Sequence, residues 1–313
     1  MKKQLTLKFS AEKIIRYLLC TAMIFLMCFA AELFNDREII FPETAALTVG
    51  AWLLPQSPWR VSRPKMVLLM TLSAFAGITV VRCITAPMPV KLLIGFVFSA
   101  ICLTLSDTTV YPLISACILP IMMSTESIVY PVSVLAITLI IAAVNLILEK
   151  SGINQSPHYS DQKPDIGSAA VLWIKRTVIF SAALLPAVIT GEYFIIAPPL
   201  IVTFVEFSPY ISAKRPLRTV ICICASAATG FGARCLMEFL SFPLWLCACI
   251  AMPGLFVIFS ASDRIFPPAG AAALLPLIIS RYKLFLYPVE IIIGCFLLMG
   301  LDRLFFAEDK YTE

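Results

Sequence analysis

The chain has 313 residues, 60% hydrophobic and only 14% charged, with a formal net charge of +5 at neutral pH and a mean hydropathy of +0.93. Soluble domains are about half apolar and about a quarter charged, so this composition excludes an ordinary soluble enzyme, a disordered protein and a nucleic-acid module. What remains is an all-α, polytopic membrane protein whose first partner is the lipid bilayer.

A hydrocarbon layer of about 30 Å takes roughly 20 residues of apolar helix. Apolar runs predict twelve segments, the first six over 14–33, 39–55, 65–86, 90–105, 109–123 and 131–148. The second six fall over 172–190, 193–207, 217–238, 243–260, 265–279 and 286–301. The basic start and apolar first run resemble a signal peptide. A counterpart at 172–190 argues instead for a retained first helix. The stretch Glu149–Ile166 is the one long polar run, broken by Gly152, Pro157 and Pro164, and reads as an aqueous linker.

The halves match residue by residue. Arg63-Pro64 answers Arg215-Pro216, and Arg82-Cys83 answers Arg234-Cys235. Pro87, Ser106-Asp107, Pro112, Pro120 and Tyr130-Pro131 answer Pro243, Ser262-Asp263, Pro268, Pro276 and Tyr287-Pro288. Pro, Arg and Asp are the residues a random apolar run lacks, so an ordered series of them predicts a duplication. The predicted units are a six-segment repeat over 1–149, a cytoplasmic linker over 150–171, and a second six-segment repeat over 172–313.

With the N-terminus inside and all twelve segments spanning, the 24 Lys and Arg residues divide 18 inside to 6 outside, as the positive-inside rule requires. An even number of spans per unit gives both units one orientation, the parallel-repeat arrangement. Both termini are then cytoplasmic.

The eleven cysteines all lie in apolar runs, where Cys acts as a small hydrophobe. The pairs Cys222/Cys224 and Cys247/Cys249 are two apart, on opposite sides of a helix, and form no metal corner. The single histidine, His158, falls in the linker. No nucleotide loop, catalytic triad or metal spacing is present, so no enzyme activity and no cofactor are expected.

Four features remain as site candidates. The fifth segments of each half are short and proline-bearing, with Pro112 in one and Pro267-Pro268 in the other, the latter followed by the small residues Ala269, Gly270 and Ala271. Proline suits a first helical turn. A helix start near the centre favours an anion, while small residues equally serve close packing. Arg82 and Arg234 are matched intramembrane cations that either bind a small anion or reach out to headgroups. Asp107 and Asp263 precede the short helices and read as N-caps or as site residues. Glu43 and Glu206, in the second segments, do not align, and either is placed to carry a proton. Trp52, Trp59, Trp173 and Trp245 lie near segment ends, as interface belts do.

The stretch Ser208-Pro209, Lys214-Arg215-Pro216 and Ser262-Asp263-Arg264-Ile265-Phe266-Pro267-Pro268-Ala269-Gly270 resembles the HPP family of integral membrane proteins. That family is named for a His-Pro-Pro motif followed by small residues at the start of a late transmembrane helix. Here Phe266 stands in the place of the His. The likeness covers 193–301 well and 39–148 weakly, as if two such units were fused. Plant and cyanobacterial members are associated with nitrite transport. The resemblance therefore implies a secondary transporter or channel for a small inorganic anion in a bacterial inner membrane. A weaker likeness is to fusaric-acid-resistance exporters. The competing reading is a non-transporting membrane scaffold or an accessory subunit of a membrane complex.

Overall fold

The computed structural model describes residues 11–54, 56–154, 166–207 and 216–306. Residues 155–165 of the linker, His158 among them, and Ser208, Pro209, Lys214 and Arg215 of the family-like stretch lie outside the described residues. Every regular element among the described residues is helical.

Eight helices are long: α1 (Ala11–Leu33), α3 (Arg63–Cys83), α4 (Met88–Ser106), α6 (Val129–Lys150), α7 (Ile166–Thr190), α9 (Pro216–Leu240), α10 (Leu244–Ser262) and α12 (Tyr287–Phe306). The first seven are long and apolar enough to cross a membrane. The last has comparable length but carries Glu290, Asp302 and Arg303. Four helices are short: α2 (Glu43–Thr48), α5 (Pro112–Met123), α8 (Pro198–Phe207) and α11 (Pro267–Leu274).

The second and fifth segments are shorter than the apolar runs predict, for local reasons. The run 39–55 is helical only from Glu43, after an extended turn at Ile40, and passes at Val49–Leu53 into a π-helical turn. The run 193–207 is a 3₁₀ turn, Tyr193–Ile196, followed by α8, with Pro198 at the break. In the run 265–279, Pro276 lacks an N–H and the α-helix gives way to the 3₁₀ turn Leu275–Leu277.

Polar ties fix which helix ends lie together. At one end, called here the near end, Arg16 of α1 donates to the carbonyls of Trp52 and Ile153. There Arg60 pairs with Asp107 at 2.6 Å and Arg63 with Glu149 at 2.6 Å. Arg264 donates to Thr219 at 3.0 Å, and Lys175 stands 5.3 Å over the Phe306 ring. At the far end, Lys283 pairs with Glu192 at 3.0 Å and Arg281 with Glu238 at 3.5 Å. The twelve helices thus alternate in direction, and both halves set out from the near end.

The halves also interlock. Helix α1 packs on α10 through Tyr17 against Phe256, at 4.3 Å between ring centroids, and Phe25 against Trp245, at 5.5 Å. Helix α4 packs on α7 through Phe96 against Phe180, at 4.5 Å. Inside this frame the short helices form the core: α11 packs on α2 and α8, and α5 on α8 and α2. All residues of α2 and α11 are buried, as are Pro112–Ile121 of α5.

The same contacts recur in both halves. The Tyr130 hydroxyl donates to the Ala116 carbonyl and that of Tyr287 to Ala272. Phe41 meets Tyr130 edge-on, as Phe194 meets Tyr287. Gly77 of α3 lies against the carbonyl of Cys117 and Gly230 of α9 against that of Ala273. At each of these glycines a Cβ would overlap backbone, so glycine is the residue that lets the long helix and the short helix touch.

Candidate functional site

The short helices begin deep in the bundle. Glu43 opens α2, and its carboxyl faces Ser115 in the first turn of α5. Two residues on, Ala45 is crossed by α11 at Gly270, where a Cβ would come to 3.1 Å from the Ala45 backbone. The first turns of α5 and α11 therefore both meet α2 within two residues of Glu43. Glu43 is 2% exposed and Ser115 fully buried. Glu43 Oε2 and Ser115 Oγ have no hydrogen-bond partner. The Tyr130 and Tyr287 hydroxyls lie within electrostatic reach of the same carboxyl. A carboxyl at such depth without full partners is expensive, and groups of this kind mark ion pathways and proton relays in membrane proteins.

The other predicted residues fall around this centre. Pro267 and Pro268 open α11, after Phe266 as its N-cap, and with Gly270 they are buried at the crossing. Asp107 and Asp263 are not N-caps of the short helices. They close α4 and α10 in the left-handed region, with φ of 47° and 50°, a conformation Asp tolerates better than most residues. Tyr111 and Phe266 occupy the N-cap positions instead. Both aspartates stand at the near end, Asp107 beside Arg60 and Asp263 exposed.

The matched arginines differ in place. Arg82 is exposed at the end of α3. Arg234 is 2% exposed and pairs with Glu238 at 2.6 Å while donating to the Leu277 carbonyl at 3.2 Å. It fastens α9 to the end of the α11 segment, and its Nε has no partner. The two guanidinium groups therefore do not form one symmetric pair.

A second pair of arginines has the equivalence that Arg82 and Arg234 lack. Arg16 and Arg176, both buried, donate to carbonyls near the ends of the second segments, Trp52 and Val205. They satisfy carbonyls that a helix end leaves without partners. In sequence they are two of the 18 basic residues assigned to the inside. Glu290 and Asp302 of α12 are also buried, and neither carboxyl has a hydrogen-bond partner. The signal for Glu290 was present, since it is an acid inside the apolar run 286–301, whereas Asp302 directly follows that run, and neither has an acidic mate in the first half.

A groove of about 510 Å³ opens between α4 and α7, lined mainly by Val97, Ile101, Leu105, Trp173, Ile174 and Val178. Its walls are apolar, so it suits hydrocarbon and not a small anion.

The chain matches no known protein family, no curated protein and no solved structure. The helices long and apolar enough to span a bilayer place it among multi-pass membrane proteins.

Proposed function

We propose that the protein is a proton-coupled secondary transporter for a small anion, built from two parallel six-segment repeats with both termini in the cytoplasm. The likeness to HPP proteins supports a nitrite-like substrate and an inner-membrane location. The observation that carries the reading is the Glu43 carboxyl, buried with an unpartnered oxygen where the short helices begin. Ionised, Glu43 is itself the anion that the helix starts attract. Protonated, it leaves those dipoles free to hold a substrate anion, with the unpartnered Ser115 hydroxyl as donor. Proton and anion then favour each other's binding, which is the condition for symport.

The experiment is uptake into proteoliposomes of a panel of small anions including nitrite, with and without an inward proton gradient. The expected result is gradient-stimulated uptake of at least one anion. In E43Q, residual flux no longer responds to the gradient. A wild-type response in E43Q would overturn the role of Glu43. The tight crossing of Gly270 on Ala45, together with the outward Arg82, favours the second reading, a structural scaffold or accessory subunit. Absence of uptake of any anion by well-folded protein would establish that reading over transport.

A further inference from the structure

A second pair of carboxyls lies away from Glu43. Glu290 is in the first turns of α12 and is 3% exposed. No donor reaches either of its oxygens. Glu192, from the connection between α7 and α8, is the N-cap of the 3₁₀ turn Tyr193–Ile196, which packs on α12 with the Ile195 carbonyl against Gly294, and its carboxyl lies beside that of Glu290. Among the described residues Lys283, from the connection into α12, is the cation facing the pair, and its contact is with Glu192, at 3.0 Å. Two carboxylates and one ammonium would leave a negative charge buried without a partner, which is strongly unfavourable. Two carboxylates are also both acceptors, so neither can satisfy the other.

We propose that Glu290 holds one proton, shared as a hydrogen bond toward the Glu192 carboxylate and exchanged with water at the far end of the bundle. One proton converts one acceptor into a donor, cancels the excess charge and leaves the Lys283–Glu192 pair intact. Glu192 is 30% exposed and Lys283 33%, so the site opens to solvent on that side. On the other side is Tyr287, one turn before Glu290 on α12, with its hydroxyl on the Ala272 carbonyl at 2.8 Å. Both Glu290 and Glu43 act electrostatically on Tyr287, as do the Cys224 and Cys295 thiols. The proton site does not rest on the proposed transport function.

The test is infrared spectroscopy of the full chain in lipid bilayers, titrated with pH and repeated in heavy water to identify protonated-carboxyl bands. At neutral pH the wild type is expected to show a component that is lost in both E290Q and E192Q. In K283M the same component persists to higher pH, by about one unit or more, because the competing cation is gone. If E290Q does not fold, E192Q and K283M, at partly exposed positions, carry the test. An unchanged band in E290Q, or unchanged bands in both E192Q and K283M, would overturn the shared proton. Presence of the band in a protein that moves no anion would overturn the transport reading and leave the proton site standing.

Discussion

Replacing Gly230 by alanine gives the sharpest test of the contact between the long and short helices. On α9, a Cβ at this position falls on the carbonyl of Ala273, with the Ala273 Cα at 3.1 Å. No rotamer change relieves an overlap with backbone, so the helices must separate by on the order of 1 Å, enough to forfeit about a quarter to a half of the local dispersion attraction. Overpacking of this kind costs about 1–3 kcal/mol. Against it, alanine stabilises a helix interior by about 0.5–1 kcal/mol over glycine. Gly232, on the same helix, has nothing within 4 Å of its would-be Cβ, and G232A should show the helix gain alone. Subtracting the two variants cancels the helix contribution, so G230A should lie about 1–3 kcal/mol below G232A. The pair Gly77 and Gly300 repeats the comparison, since Gly77 meets the Cys117 carbonyl and Gly300 meets nothing. The assay is thermal unfolding in detergent with a thiol-reactive fluorophore, which the buried Cys117, Cys222, Cys247 and Cys295 report. A midpoint for G230A equal to or above that of G232A would refute the packing argument.

Other expectations are shorter to state. R234Q leaves the buried end of α9 without its ion pair to Glu238 and its bond to Leu277, and should destabilise by about 1–3 kcal/mol, whereas R82Q, at an exposed position, should stay within about 0.5 kcal/mol; the same unfolding assay reads both. Lipids brominated on their acyl chains should quench Trp173, which lines the α4/α7 groove, and W173F should remove most of that quenching; equal quenching in the two proteins would place hydrocarbon elsewhere. Reporter fusions near Gln162 and at Glu313 should both read cytoplasmic, and a periplasmic result at either sinks the proposed orientation.

Much of this architecture is legible in the residues because proline, arginine and aspartate are conspicuous in an apolar chain. Pro87 and Pro243 precede α4 and α10, and Asp107 and Asp263 close them, at the matched places. Hydrophobicity alone does not say where a helix starts inside an apolar run. That is why segments 39–55 and 193–207 look continuous yet break at Ile40 and Pro198. Asp107 and Asp263 show another limit: an Asp between two helices serves the end of the first as well as the start of the second, and only the backbone angle decides. The glycine contacts depend on which helices cross. Gly77 and Gly230 differ from Gly232 and Gly300 in nothing that sequence records. For the centre, Glu43 was legible as a lone acid in an apolar segment. Its neighbour Ser115 comes from a helix some seventy residues away and becomes relevant only through packing.

The exchange of partners between halves gives the helices an order of completion during synthesis. Helix α4 waits only for α7, about 60 residues further on, or roughly 3–12 s at ~5–20 residues per second. Helix α1 ends at Leu33, and its partner α10 begins at Leu244, so the wait is about 210 residues, or roughly 10–40 s at the same ~5–20 residues per second. The first helix made seats on the second segment early, through Arg16 on Trp52 and Met27 on Phe41, but its α10-facing side is among the last to be covered. Until α10 emerges, Tyr17 and Phe25 face whatever surrounds the growing chain. A ribosome stalled after α9 would hold a chain in which α4 and α7 have met while the Tyr17 and Phe25 face of α1 is still open to chaperone or quality-control protease.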